Sequence, residues 1–279
     1  MKTRRDFLID TGALAIGSML LPAFAEDPKR VKNIGIQLYT FRKEMLADAI
    51  GTLKQIASLG IKQVESAASD KGNYYGLKPK EIKQICADLG MTLRSGHVHI
   101  DNKWQQTLDE AIESGQEYVI CSSMPARGQT VDNYKKAAGS FNKSGEECNK
   151  RNLKFGYHNH DYEFESENGQ VLYDILVQNT EANLVHLEMD LGWVIIGGKN
   201  PLDYFKKYPG RFPLWHLKDM DLQKKHSVEF GKGSLQVVEI LKHSKQSGMK
   251  YLFVEQEEYA STALDSMKQD MDYLEKLRY

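Results

Sequence analysis

Apolar residues along this chain come in two alternating rhythms. Short runs of β-branched, aromatic and aliphatic residues read as strands, and each is followed by a stretch in which apolar residues recur at helical spacing. IGIQLYT is the first such strand, and Met45 to Leu59 is the helix after it, stopped by Gly60. IKQVESA follows as a strand, then Pro79 to Leu89 as a helix ended by Gly90. The junction of helix, glycine or asparagine, and strand recurs in SLGIKQVE, DLGMTLRSG, ESGQEYVIC, KRNLKFGYH and QSGMKYLFVE. A glycine or asparagine just past a helix supplies the left-handed cap that such a turn requires. Eight strands are counted this way, near Ile34, Val64, Leu93, Val119, Phe155, Leu187, Leu214 and Phe253, with a last helix over Leu264 to Leu277.

Eight consecutive βα units predict a closed (β/α)8 TIM barrel, an α/β fold, in preference to an open doubly wound sheet. Neither GxGxxG nor GxxxxGK follows the first strand, which removes the usual mark of the open alternative. No linker or change of composition interrupts residues 31 to 279, so one domain is expected. The segment Ala68 to Lys78, with Tyr74 and Tyr75, is long enough for a lid over the barrel mouth and equally fits a surface excursion.

In such a barrel the active site gathers where the strands end. LKFGYHNHDYEF, Leu153 to Phe164, places His158 and His160 two residues apart, hence on one face of an extended chain with Asn159 on the other. Later strands end at Asp190 in HLEMD, at His216 and Lys218 in PLWHLKD, and at Glu255 and Glu257 in YLFVEQE. Glu65 and His97 close the second and third strands, and Glu188 lies one layer below Asp190. Inward carboxylates and imidazoles are costly to bury unless they are paired or bound to a metal.

The 279-residue chain has 37 Lys+Arg against 38 Asp+Glu, so it has no field to gather a polyanion and nucleic acid is excluded as a partner. Cys86, Cys121 and Cys148 show no CxxC spacing and read as small buried apolar residues.

The motifs IGIQLYTF, QVES, SGHV, YHNHDYEF, MDLGW, WHLKD and VEQ, in this order, resemble the sugar isomerase and epimerase family with the xylose isomerase-like barrel. The resemblance covers essentially all of residues 26 to 279 and implies one divalent metal ion, Mn, Zn, Co or Mg, held by one residue from each of the last four strands. Those positions fall on His158, Asp190, His216 and Glu255. Many members have a glutamate where this chain has His158, so the facing pair of carboxylate bases used by epimerases is reduced to Glu255. The YHNH run is closer to the inosose dehydratase branch, and to exported relatives that hydrate or eliminate from 3-keto sugars.

The resemblance implies proton transfer at a carbon next to a carbonyl of an unphosphorylated sugar or keto sugar. The outcome would be isomerisation, epimerisation, or hydration and dehydration. His160, Glu255 and Lys218 are the catalytic candidates, Lys218 alternatively forming an ion pair with Asp219. Glu65, His97 and Trp193 are expected as substrate contacts, with Glu65 and His97 alternatively bonded only to each other. Two other functions fit the same pattern less well: a non-catalytic carbohydrate-binding barrel, and an endonuclease of the superfamily, which the neutral charge disfavours.

Residues 1 to 25 read as a cleavable export signal: Arg4 and Arg5 precede Phe7 and Leu8, an apolar run reaches Leu21, and Ala23-Phe24-Ala25 supplies a small-residue cleavage site. The paired arginines resemble the twin-arginine type, which places the mature chain in the periplasm or otherwise outside the cytoplasm, without stable membrane insertion. That route carries folded proteins, and a barrel that must join distant strands folds slowly. Replacing both arginines (Arg4→Lys with Arg5→Lys) is expected to hold precursor in the cytoplasm with the metal already bound. Cell fractionation showing wild-type export would assign a general secretion signal instead.

Overall fold

The computed structural model describes residues 28–125 and 128–279. The expected export signal, with Arg4 and Arg5, lies outside the described residues. Eight parallel strands close into a barrel: β1 Gly35–Gln37, β2 Gln63–Ala67, β3 Thr92–Val98, β4 Tyr118–Cys121, β5 Lys154–His158, β6 Val185–Asp190, β7 Leu214–Leu217 and β8 Tyr251–Val254. Each pairs with its neighbours in sequence, and β1 meets β8 through Gly35↔Phe253 and Ile36↔Val254. The doubly wound alternative is thereby removed. Among the described residues no helix is long and apolar enough to cross a membrane.

The helices fall where the periodicity predicts them, with one difference at the start. Met45 to Leu59 is split into Arg42–Ala47 and Ala49–Ser58, because the side chain of Asp48 accepts the N–H of Gly51 and caps a new helix. The other two, Pro79–Asp88 and Ala263–Lys276, match their predicted spans to within one residue at each end. Gly60, Gly90, Gly115, Asn152 and Gly248 all adopt positive φ, the left-handed cap expected at each helix-to-strand junction.

The strand period sorts the barrel interior into tiers. Tyr118, Ile120, Leu214 and Phe253 form a separate buried apolar cluster. Two residues further along the same strands and on the same face come His216 above Leu214 and Glu255 above Phe253. The lower tier is apolar, and the tier above it is ionisable. Gly156 makes room for this packing: a Cβ there would come within 2.6 Å of Ile120 Cδ1. Outside the barrel, Phe141 packs against Phe155 and Tyr157, seating the long helix Val131–Asn149 on β5. Cys86, Cys121 and Cys148 are free and buried, as their spacing implied.

The segment 68–78 is anchored rather than free-standing. Tyr74 and Tyr75 are both buried, and the Tyr74 hydroxyl donates to Gln116 Oε1 at 2.8 Å. Ser69 and Gly72 exchange backbone hydrogen bonds at 3.1 and 2.9 Å. It is a fixed wall beside the mouth.

Two glycines of helix Val131–Asn149 should respond oppositely to alanine. A Cβ at Gly145 would run into the backbone carbonyl of Leu184, whereas one at Gly139 meets nothing within 4 Å. Gly145→Ala is expected to destabilise by about 1–3 kcal/mol through overpacking. Gly139→Ala is expected to stabilise by about 0.5–1 kcal/mol through helix propensity. Urea unfolding of the two variants reads the difference in sign.

Candidate functional site

Sheet register brings the strand ends together. Asp190 pairs with His216 across β6 and β7, and His158 pairs with Glu188 across β5 and β6. A shift between Val64 and Glu65 sets Glu65 opposite Ser95, whose hydroxyl donates to Glu65 Oε2 at 2.5 Å.

The donor atoms of His158, Asp190, His216 and Glu255 lie within 4.8 Å of one another, and all four residues are buried. His158 Nε2 is 3.1 Å from His216 Nδ1 and 3.4 Å from Asp190 Oδ2. His216 Nδ1 is 3.0 Å from Glu255 Oε2 and 3.7 Å from Asp190 Oδ2. Four ligands at the usual 2.0–2.2 Å around a tetrahedral ion sit roughly 3.3–3.6 Å apart, so these separations fit a divalent cation. Two imidazole nitrogens and two carboxylate oxygens suit several such ions.

Asp190 and His216 are aimed by partners outside the set. Asp190 uses Oδ1 to cap the helix Leu191–Ile196, accepting the N–H of Trp193 at 2.9 Å. Its Oδ2 faces His158 and His216 and lies 3.0 Å from the Lys218 ammonium. Glu65 Oε1 lies 2.6 Å from His216 Nε2 and accepts its N–H, so Nδ1 faces the other ligands. Asn159 ties the ends of β5 and β6, accepting the N–H of Asp190 and donating to its carbonyl.

A second grouping, His97, His158, Glu188 and His216, overlaps the first through its two shared histidines. His97 Nε2 is 2.7 Å from Glu188 Oε2 and 3.3 Å from Glu65 Oε1. Burial would lower the His97 pKa, but Glu65 and Glu188 outweigh it and raise it to about 9. Burial and the neighbouring Glu65 push Glu188 up to about 7. Burial and the adjacent His216 keep His158 neutral, which suits a ligand nitrogen. Burial also lowers His160, helped by Lys218, to about 4.

Above the set is a cavity of 310 Å³ whose walls include His97, His158, His160, Trp193, Glu255 and Glu257. His160 shares the mouth with His158, their rings 5.0 Å apart, and stands 6.1 Å from the Trp193 ring. Two sequence expectations come out differently. Glu65 is fully buried and absent from the cavity wall, its oxygens taken by Gln37, Ser95 and His216, because β2 runs on through Ser66 and Ala67 and leaves it below the mouth. Lys218 does not pair with Asp219 and does not line the cavity; its Nζ reaches Asp190 at 3.0 Å, Glu255 at 2.8 Å and Glu257 at 2.6 Å. The Asp219 carboxylate instead accepts the backbone N–H groups of Met220, Gly231, Gly233 and Leu235.

Sequence reasoning missed Gln37, whose amide donates to Glu65 Oε1 at 2.8 Å, and Tyr39, which lines the mouth. A polar residue ending the apolar run IGIQ was the available signal for Gln37. Ser227 was missed as well; its hydroxyl accepts the N–H groups of Glu257 and Glu258 and so holds Glu257 toward Lys218. Nothing in the local sequence marks it.

The family profile described as xylose isomerase-like TIM barrel matches residues 53–277. An inosose dehydratase of Clostridium perfringens is 31% identical over 98 residues, 35% of this chain and 32% of that protein. The chain thus spans about a third of the length of the curated relatives it matches first. A sugar phosphate isomerase/epimerase from Parabacteroides distasonis superposes with a TM-score of 0.78 at 26% identity, over 88% of this chain and 98% of that one. The IOLI protein, solved with a zinc atom, gives a TM-score of 0.67 at 14% identity over 86% and 95% of the two chains, a likeness of fold.

Glu163 gives the site a pH signature of its own. Fully buried, it accepts from the Tyr157 hydroxyl at 2.5 Å and from the His160 N–H at 2.9 Å. Burial raises its pKa from 4.5 to about 8. The folded chain therefore holds a proton that the unfolded chain releases, and this contribution to stability falls as pH rises from 4.5 to about 8. Glu163→Gln is expected to flatten that part of the stability profile, measured by denaturant unfolding at pH 5, 6.5 and 8.

Proposed function

The chain belongs to the xylose isomerase-like TIM barrel family, and from that premise we propose that it is a divalent-metal-dependent enzyme moving a proton at a carbon next to a carbonyl of an unphosphorylated sugar or keto sugar. The observation that carries this reading is the convergence of His158, Asp190, His216 and Glu255 beneath the cavity. A divalent ion held there would stabilise the negative charge that develops on adjacent carbonyl and hydroxyl oxygens.

The chain's own groups supply the proton chemistry. His160 is neutral at physiological pH, lines the cavity and is positioned to accept a proton from a bound sugar. His97, raised to about 9, lines the same cavity as an imidazolium able to donate one. A neutral base and a charged acid facing one space is the separation of roles expected of acid–base chemistry. Lys218 acts through others, fixing Asp190, Glu255 and Glu257, while Trp193 walls the pocket with its ring 4.9 Å from that ammonium.

Unphosphorylated substrates are favoured because no lysine or arginine lines the cavity among the described residues. The signal-like residues 1–25 support action outside the cytoplasm.

A second reading, dehydration or hydration of a keto sugar or inosose, is favoured by His158. With an imidazole where a second carboxylate base would stand, Glu255 lacks a facing partner for two-base epimerisation. An acid and a base at His97 and His160 are what loss of a β-hydroxyl needs. The inosose dehydratase relatives lean the same way.

NMR in D₂O against inososes, free keto sugars and 3-keto glycosides is expected to show solvent deuterium at the carbon next to the carbonyl. His160→Ala should slow that exchange by about 10²–10⁴-fold with metal content unchanged. His216→Ala should lower the metal content of the purified protein. Sugar binding indifferent to chelator, with no exchange in any substrate, would identify a non-catalytic carbohydrate-binding barrel.

A further inference from the structure

Beside the cavity over the ligand set lies a second one of 380 Å³, and the two share Ala68 and His99 in their walls. One side of it is the anchored segment after β2, through Ser69, Asp70 and Asn73. The other side is the start of the helix Trp104–Ser114, through Gln106 and Glu110. One bond joins the two sides, Asn73 Nδ2 donating to Glu110 Oε2 at 3.3 Å, and within the helix Gln106 Nε2 donates to Glu110 Oε1 at 2.7 Å.

The wall is already formed. Besides the buried Tyr74 and Tyr75, Lys71 Nζ donates to the carbonyl of Leu46 at 2.6 Å and the Ser69 hydroxyl to that of Gly72 at 2.8 Å. A ligand entering here would bear little of the ordering cost that weakens binding to a mobile loop. The chemistry of the wall is equally specific. Amides, a hydroxyl and carboxylates match the donors and acceptors of sugar hydroxyl groups. Among the described residues, Asp70, Asp101 and Glu110 outnumber Lys103 in the wall and make it repellent to a phosphate or carboxylate.

We propose that this cleft is the subsite for a second, hydroxyl-rich group attached to the reacting sugar, so that the substrate is a disaccharide or a polyhydroxylated glycoside. The proposal rests on the reading of the neighbouring cavity as the place where a sugar reacts. The reacting ring occupies the space over His158 and Glu255, and the linked group passes Ala68 and His99 to reach Asn73, Gln106 and Glu110. The segment 68–78 is then a specificity wall, not a lid.

Isothermal titration calorimetry of the full mature protein with glucose, maltose, cellobiose and trehalose tests this. At least one disaccharide is expected to bind ten times or more tightly than glucose. Asn73→Ala and Gln106→Ala, each made singly and checked for unchanged melting, should weaken that disaccharide at least fivefold and leave glucose unaffected. Disaccharides that bind no better than glucose, or do not bind, overturn the proposal. So does an equal loss for both ligands in the variants. Deuterium exchange reads the reaction and calorimetry reads the cleft, so either can fail alone.

Discussion

Four buried carboxylates converge on one imidazole. His216 stands 2.6 Å from Glu65, 3.4 Å from Glu188, 3.0 Å from Glu255 and 3.7 Å from Asp190. Two like charges 4 Å apart repel by about 4 kcal/mol at an effective dielectric near 20, so an uncompensated pair alone is comparable with the whole stability of a domain. The compensation has to be local. Burial pushes the His216 pKa down, yet Glu188, Glu255 and Glu65 together hold it well above its ordinary range, and a divalent ion at Nδ1 would displace that proton and take over its compensating charge. Burial likewise opposes ionisation of Glu65 and Asp190, and is overcome by His97 and His216 for the first and by Lys218 and the histidines for the second.

That constraint explains why so much of the upper barrel is committed to orientation. Asp190 splits its two oxygens between a helix cap and the site, so helix Leu191–Ile196 and the ligand set share one side chain. Gly192 lets that helix start close to β7, since a Cβ there would lie 2.9 Å from the carbonyl of Lys218. The hairpin of Asp219–Asp221 and His226–Val228 has its own part through Ser227, which fixes the backbone of Glu257 and Glu258. A helix start and a hairpin outside the barrel strands thus help decide where the carboxylates of the site point.

The strand order and the four candidate ligands were legible because both follow from a period of two. Once Leu214 and Phe253 face inward, His216 and Glu255 must as well. What escaped reading depends on register and distance. β2 continues through Ser66 and Ala67, so Glu65 lies in a supporting tier below the mouth, and nothing in the run IKQVESA marks where the strand stops. Lys218 carries its next neighbour Asp219 in sequence, but adjacent residues on an extended chain face opposite ways, and its partners come from the ends of two other strands. The segment 68–78 stayed ambiguous because its anchors, Ser114 and Gln116, lie some forty residues on.

The seam between β1 and β8 rests on Gly35↔Phe253 and Ile36↔Val254, and Glu255 is the residue that follows immediately. A chain still being synthesised can line up His158, Asp190 and His216 on an open, curling sheet, but it lacks the fourth donor until β8, the last strand, docks on β7. An ion that prefers the complete set therefore favours the docked strand over the free one by mass action. The docked strand in turn presents the edge that β1 must meet. The site serves in this way as a clasp on the strand that closes the barrel.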